Sequence, residues 1–370
     1  MKVKCFFLLL IVFLTGPLAI NEVVATPPPT VEDKIAWYDA SCWSVGGKGW
    51  QDTSTPFTRL PQRAQETVPK PVWTLAQHSA GLVVYFRTDA STIRARHEVG
   101  GNLTMPHMTT VGSSGLDLYA RDEKGQWHWA GFSKPDGKNY DQALLSGAVP
   151  EVRDYMLYLP LYNNTVSLSI GVPEGSRFEV LKPPKEKPIL YYGTSIAHGC
   201  SASRPGMAFP AILGRRLDRP VINFGFSGNG RMEAEMADLI AEIDAAVFVL
   251  DCVPNMTLDH VKNNTEIFIR KLRKARPETP IVMVEDRTLT NAWLLKWWQE
   301  NHRNKREAYR AVYDKLTKEG MTGLIYLSAD HLLGDDDEGT VDGSHPTDLG
   351  MVRMADAVEP VLREALSEPK

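Results

Sequence analysis

Pro188-Ile189-Leu190-Tyr191-Tyr192-Gly193-Thr194-Ser195-Ile196-Ala197-His198-Gly199 is the stretch from which the rest of the chain is best read. Its apolar run, Ile189 to Tyr192, carries the β-branched and aromatic content of a buried strand, and Gly193 breaks that run before a helical pattern begins. Ser195 therefore stands at the carboxyl end of a strand, where open α/β sheets place their ligands. On motif length alone, the plainer role for this serine is to cap the helix that follows.

The chain beyond it repeats the same alternation. Strands are expected at Ile189 to Tyr192, Val221 to Phe224, Ala245 to Leu250, Ile281 to Glu285 and Leu324 to Leu327. Amphipathic segments run between them, including Glu233 to Ile243, with Met236, Leu239, Ile240 and Ile243 on one face, and Leu258 to Ala275. The last helix is expected over Asp348 to Leu366. Strands each followed by a helix imply an α/β fold, a doubly wound five-stranded parallel sheet with right-handed crossovers.

Upstream the pattern differs. From about Lys34 to Glu179 no long helical period is present, but short strand signals recur between Gly, Pro, Asn and Asp. They fall at Gly81 to Arg87, Thr92 to Arg96, Leu116 to Ala120, Gln126 to Ala130, Tyr155 to Leu159 and Val166 to Ile170. This region reads as an all-β sandwich of jelly-roll type. The charged, proline-rich segment Leu181 to Pro188 separates the two parts. The expected organisation is a signal peptide over 1–25, a stiff Pro-rich linker over 26–33, the β-sandwich over 34–182 and the α/β domain over 183–370.

The signal segment consists of the basic start Met1-Lys2-Val3-Lys4, an apolar run from Cys5 to Leu14 and a small-residue cleavage site after Ala25. It implies a secreted or periplasmic protein, and no later run is apolar enough to cross a membrane. A net charge of −4 over 370 residues leaves no basic footprint for nucleic acid and no polybasic membrane patch. After cleavage Cys42, Cys200 and Cys252 remain, an odd number. Cys200 and Cys252 both fall near the expected site and could be bridged, although buried free thiols are the plainer reading. No Cys/His spacing suggests zinc, and Asp335-Asp336-Asp337-Glu338 lacks ligand spacing, so neither metal nor cofactor is expected.

Three more pieces fall at strand ends. Gly225-Phe226-Ser227-Gly228-Asn229-Gly230 follows the second strand of the α/β part, Asp251-Cys252-Val253-Pro254-Asn255 follows the third, and Val341-Asp342-Gly343-Ser344-His345-Pro346 precedes the last helix. Taken in order with Gly193-Thr194-Ser195-Ile196, they resemble the blocks of the SGNH, or GDSL-like, serine hydrolase superfamily over roughly residues 186–370. Thr194 departs from the aspartate usual before the serine, and Met256 follows Asn255 where many members are acidic. The upstream Gly115-Leu116-Asp117-Leu118-Tyr119 is similar to the motif that names the N-terminal GxDLY module of one bacterial subgroup.

The resemblance implies an esterase with Ser195 as nucleophile, His345 as its base and Asp342 orienting the imidazole. The oxyanion would be held by the N–H groups of Ser195 and Gly228 and the Asn255 amide. The carbohydrate substrate also rests on this resemblance: removal of acetyl or other short acyl groups from a small-molecule or oligosaccharide ester. A lipid or lysophospholipid acylhydrolase and a non-catalytic carbohydrate-binding protein are the alternatives, against which stand the lack of a long apolar lid and the intact Ser195, Asp342 and His345.

Weaker candidates for substrate contact are His198, one turn after Ser195 and more simply a helix-surface residue, and Arg204, equally readable as a structural hydrogen-bond donor. Trp293 and Trp297, with Trp298, could line a sugar or acyl pocket, though helix packing is the plainer reading. The sequons at Asn102, Asn163, Asn255 and Asn263 carry no weight without a eukaryotic secretory context.

Overall fold

The computed structural model describes residues 22–367. The expected signal segment lies outside the described residues except for Glu22 to Ala25. Within that remnant, Val23–Val24 pairs antiparallel with Val180 and Leu181. The expected linker contributes Thr30–Glu32, which pairs with Ile35–Asp39.

The N-terminal region is a sandwich of two antiparallel sheets. One runs in the order Val23–Val24, Phe178–Leu181, Val83–Thr88, Arg153–Tyr158, Asp117–Arg121, Trp127–Phe132. The other runs Thr30–Glu32, Ile35–Asp39, Thr165–Pro173, Thr92–Val99, Asn139–Ser146. The Thr92–Val99 strand buries every second residue, as a strand with one face on a core must. Val84, Phe86, Leu118 and Leu157 meet Ile93, Ala95, Leu168 and Ile170 in the space between the sheets.

Val83–Thr88 is buried on both faces, because the outer face of its sheet does not meet water. Val83, Tyr85, Tyr119, Met156 and Tyr158 pack there against Ala211 of the Phe209–Arg216 helix. The two regions are thus fused along a sheet face.

The C-terminal region is the doubly wound sheet, with parallel strands in the order Val221–Gly225, Ile189–Gly193, Val247–Asp251, Ile281–Val284, Leu324–Leu327. The period of two sorts its side chains cleanly. Leu190, Tyr192, Phe248, Leu250, Ile281 and Met283 face one layer, built from the Ala234–Ala241, Leu258–Ala275 and Lys296–Lys318 helices. Ile189, Tyr191, Val247, Val249, Val282 and Val284 face the other, built from Phe209–Arg216 and Asp348–Ser367. The Ile189–Gly193 strand lies between the second and third strands in sequence, so the chain leaves it in opposite directions. Its carboxyl end is the switch point at which such sheets open a crevice.

One N-terminal segment crosses into the C-terminal core. Leu60, Ala64, Val68, Val72 and Ala76 join the layer over Ile222 and Phe224. Arg59 is fully buried beside them. It donates from Nη1 to the Asn223 and Gly225 carbonyls at 3.1 and 2.8 Å, from Nη2 to Leu75 O at 2.6 Å and from Nε to His78 O at 3.0 Å. Burial pulls the guanidinium down to about 9.

Candidate active site

Ser195 opens the four-residue helix Ser195–His198, capped by Thr194, whose Oγ1 accepts the Ile196 N–H at 3.3 Å. The helix presses on the neighbouring strand end so closely that a Cβ on Gly225 would lie 2.0 Å from the His198 nitrogen. Only glycine fits there. The helix is held from outside the sheet as well: the Tyr162 hydroxyl donates to the Ser195 carbonyl at 3.3 Å, and its ring stacks on His198 with centroids 4.1 Å apart.

The loop before the last helix closes on itself, with Val341 N donating to His345 O at 2.8 Å. Asp342 organises it. Oδ1 accepts the Ser344 and His345 backbone N–H groups at 3.0 and 2.8 Å, and Oδ2 accepts from His345 Nδ1 at 2.7 Å. With Nδ1 engaged as donor, Nε2 is free to accept, and it lies 2.9 Å from Ser195 Oγ. Partial burial opposes the charge on Asp342, but the His345 and Ser344 N–H groups and the ring outweigh it and hold the carboxyl at about 2. The Cys200 side chain, against the burial that disfavours an imidazolium, and then Asp342 raise His345 to about 9.

The other two blocks follow the strands on either side of Ile189–Gly193. Gly228 has φ +68°, a left-handed backbone that requires glycine although no atom would crowd its Cβ. Asn255 closes a short 3₁₀ turn, Val253–Asn255, and donates from Nδ2 to Asn229 O at 2.7 Å. That bond ties the second block to the third and leaves the amide one further N–H. Beneath the rim, Asp251 is wholly buried but paired, with Arg287 Nη2 at 2.6 and 2.8 Å and the Tyr191 hydroxyl at 3.3 Å.

The weaker sequence candidates fare differently. His198 is neither a surface nor a substrate residue: it is fully buried, bonds Leu161 O through Nε2 at 2.6 Å, and is pushed well below its ordinary value by burial. The segment that covers it, Leu161 and Tyr162, comes from the N-terminal half. Arg204 is also structural. Its Nη1 donates to Asp117 Oδ2 at 2.7 Å and to the Tyr119 hydroxyl, while Asp117, fully buried, also accepts from Gly206 N at 2.7 Å and Trp129 Nε1 at 3.0 Å. The Asp and Tyr of Gly115-Leu116-Asp117-Leu118-Tyr119 are therefore the latch between the domains.

Trp293 and Trp297 are 69% and 62% exposed, while Trp298 stacks on His302. Thr290 N donates to Gly343 O at 3.0 Å, which fastens the segment bearing Trp293 to the Asp342 loop. Cys200 and Cys252 are free and buried. Among the described residues no group of three or more His, Cys, Asp or Glu could hold a metal ion, and no helix is long and apolar enough to cross a membrane.

One residue escaped the sequence reading. His107, in a loop of the N-terminal domain, places Nε2 3.7 Å from Asp342 Oδ2 and its ring beside that of His345. The only local signal for it is Pro106 before a histidine in a loop.

Comparisons with known proteins show the family of both domains. Residues 186–363 match the GDSL-like Lipase/Acylhydrolase family, and residues 35–178 match the GxDLY family, the N-terminus of SGNH-hydrolase-type esterases. A protein from Bacteroides ovatus described as a GDSL-like lipase is 36% identical over 90% of this chain and 98% of its own, with a TM-score of 0.86. A salicylyl-acyltransferase from a tetracycline biosynthetic pathway shares the fold at 19% identity, with 93% and 98% of the chains covered and a TM-score of 0.69. A family two carbohydrate esterase from Cellvibrio japonicus does so at 12% identity, with 94% and 96% covered and a TM-score of 0.54. No curated protein matches the chain.

Proposed function

Because the chain belongs to the GDSL-like lipase/acylhydrolase family, in the form that carries a GxDLY domain, we propose that it is an exported serine esterase that removes acetyl or other short acyl groups from carbohydrate. The observation that carries this is the continuous hydrogen-bonded line from Ser195 Oγ through the His345 ring to Asp342 at the switch point of the sheet.

His345 Nε2 takes the Ser195 proton as Oγ attacks the ester carbonyl, and Asp342 supports the imidazolium that results. Negative charge then grows on the carbonyl oxygen, where the N–H groups of Ser195 and Gly228 and the second Asn255 N–H receive it. The imidazolium returns its proton to the leaving alcohol, leaving an acyl-serine that water clears by the same steps in reverse order.

Support for a carbohydrate alcohol comes from the fold shared with a carbohydrate esterase and from the exposed Trp293, an indole face of the kind that suits a sugar ring, on the segment that Thr290 fastens to the Asp342 loop. Export is supported by the basic and apolar N-terminus. A fluorophosphonate probe should label the wild-type protein and fail on Ser195→Ala. A panel of nitrophenyl esters from acetate to decanoate, with acetylated oligosaccharides, should show preference for the shortest acyl groups and release of acetate from sugar. Preference for decanoate would instead identify a lipid acylhydrolase, and absence of labelling a non-catalytic binding protein.

A further inference from the structure

We propose that His107 is a positioning residue of the active centre, supplied by the N-terminal domain, which holds Asp342 in the orientation and charge state that His345 needs. The inference rests on the reading of Ser195, His345 and Asp342 given above.

Its first support is where the side chain stands. His107 Nε2 is 3.7 Å from Asp342 Oδ2, the same oxygen that accepts from His345 Nδ1 at 2.7 Å. The two rings lie within 25° of parallel, with centroids 6.4 Å apart. Asp342 Oδ1 already receives two backbone N–H groups, whereas Oδ2 receives the His345 ring and has a second lone pair for another donor. At 3.7 Å the contact is electrostatic, and a small rotation or a bridging water turns it into a hydrogen bond.

The backbone is the second support. His107 has φ +70°, follows Pro106, and sits in a turn closed by Met108 N donating to Met105 O at 3.2 Å. Proline followed by a left-handed residue is the pattern of a type II turn, whose third position suits glycine or asparagine. A bulky imidazole there is strained, and such strain persists where surrounding contacts over-determine it, most often at functional sites.

The third support is that the turn is clamped. Met108 is buried in the same cluster as Ile196 and Ala197 of the nucleophile helix, and Thr109 Oγ1 donates to Ser203 O at 3.4 Å. A loop so fixed delivers its histidine to one place.

The timing of the charge gives the contact its use. When His345 takes the Ser195 proton, Asp342 must remain anionic and in line with Nδ1. A second donor on Oδ2 stabilises that anion without touching substrate, so its effect belongs to the chemical step and appears in kcat.

The test uses the full chain and nitrophenyl acetate, comparing wild type with His107→Gly, His107→Asn and Ser195→Ala. Glycine fits φ +70° better than histidine, so His107→Gly should keep or raise Tm while lowering kcat by about 5- to 30-fold, with KM within about twofold. Asparagine tolerates the same backbone and retains an N–H donor, so it should recover part of the loss. If His107→Gly keeps kcat within about twofold of wild type, or loses activity only through KM or folded protein, the inference is overturned. With Ser195→Ala inactive, that result leaves the assignment of the active site standing. Activity retained by Ser195→Ala would remove the assignment, and this inference with it.

Discussion

Asn255 and His345 each meet two demands at once, and this makes their variants informative. Asn255 Nδ2 braces Asn229 O, and in the proposed mechanism the remaining N–H serves charge that exists only in the transition state. Asn255→Ala should lower kcat by roughly 10²- to 10³-fold with a much smaller change in KM, and thermal unfolding should shift little because the side chain is at a rim. Near-normal kcat would make Asn255 a turn residue and leave the oxyanion to backbone donors. His345, raised to about 9, is protonated and useless as a base at lower pH, so kcat/KM should climb with pH until the ring loses its proton. Stability runs the opposite way. A folded-state value above the ordinary 6.5 contributes fully below 6.5 and is lost as pH rises through about 9. Asp342, held at about 2, contributes above its ordinary 3.8 and loses that contribution as pH falls through about 2. Cys200→Ala removes the leading cause of the His345 rise, so the ascending limb of the pH–rate profile should move to lower pH. A limb that stays in place would deny the thiol that role.

At the scale of elements, the latch formed by the Asp117–Arg121 strand and the Arg204–Gly206 segment can be measured directly. Arg204→Ala leaves the Asp117 carboxylate buried with only Gly206 N and the Trp129 indole, and loss of one partner of such a pair costs about 3 kcal/mol. The double variant Asp117→Asn/Arg204→Ala should lose less in urea denaturation, since a neutral amide is cheaper to leave unpaired than a charge. Equal losses would mean that the ion pair is not what latches the domains. This latch shows how far the sequence could be read. Gly115-Leu116-Asp117-Leu118-Tyr119 was visible as a motif, but its partner Arg204 is distant in the chain and was indistinguishable from a substrate contact. Strands that are apolar throughout, such as Ile189–Gly193, or strictly alternating, such as Thr92–Val99, were legible because their burial follows a fixed period. Asn139–Ser146 was not. Its buried Tyr140 and Leu144 flank polar Gln142, which bonds the Lys134 backbone, and the ladder slips at Ile93/Arg94. Three blocks of the site were readable because each follows a strand, and the fourth because it precedes the last helix. His107 was not, because only tertiary packing brings that loop to Asp342, and His198 was misread because the residues that bury it come from the other domain.

For the molecule as a whole, the fused sheet face decides what can be cut away. Residues 186–370 expressed alone would bare Ala211 and the layer over Ile222 and Phe224, apolar surface now covered by Val83, Tyr85, Met156, Val68 and Val72. That fragment should be insoluble, or should unfold at much lower urea than the full chain. A soluble, equally stable fragment would show that the N-terminal region is a detachable module. Arg59 carries the same dependence into the order of synthesis. A ribosome delivers this guanidinium long before the carbonyls it will bind, which lie 164 and 166 residues further on. Until Gly225 has emerged, a charge destined for complete burial has no partners there, and the Lys70–Ala76 helix has no Ile222 or Phe224 to cover. The segment from Arg59 to Ala76 therefore cannot reach its final packing until the second half of the chain has been made.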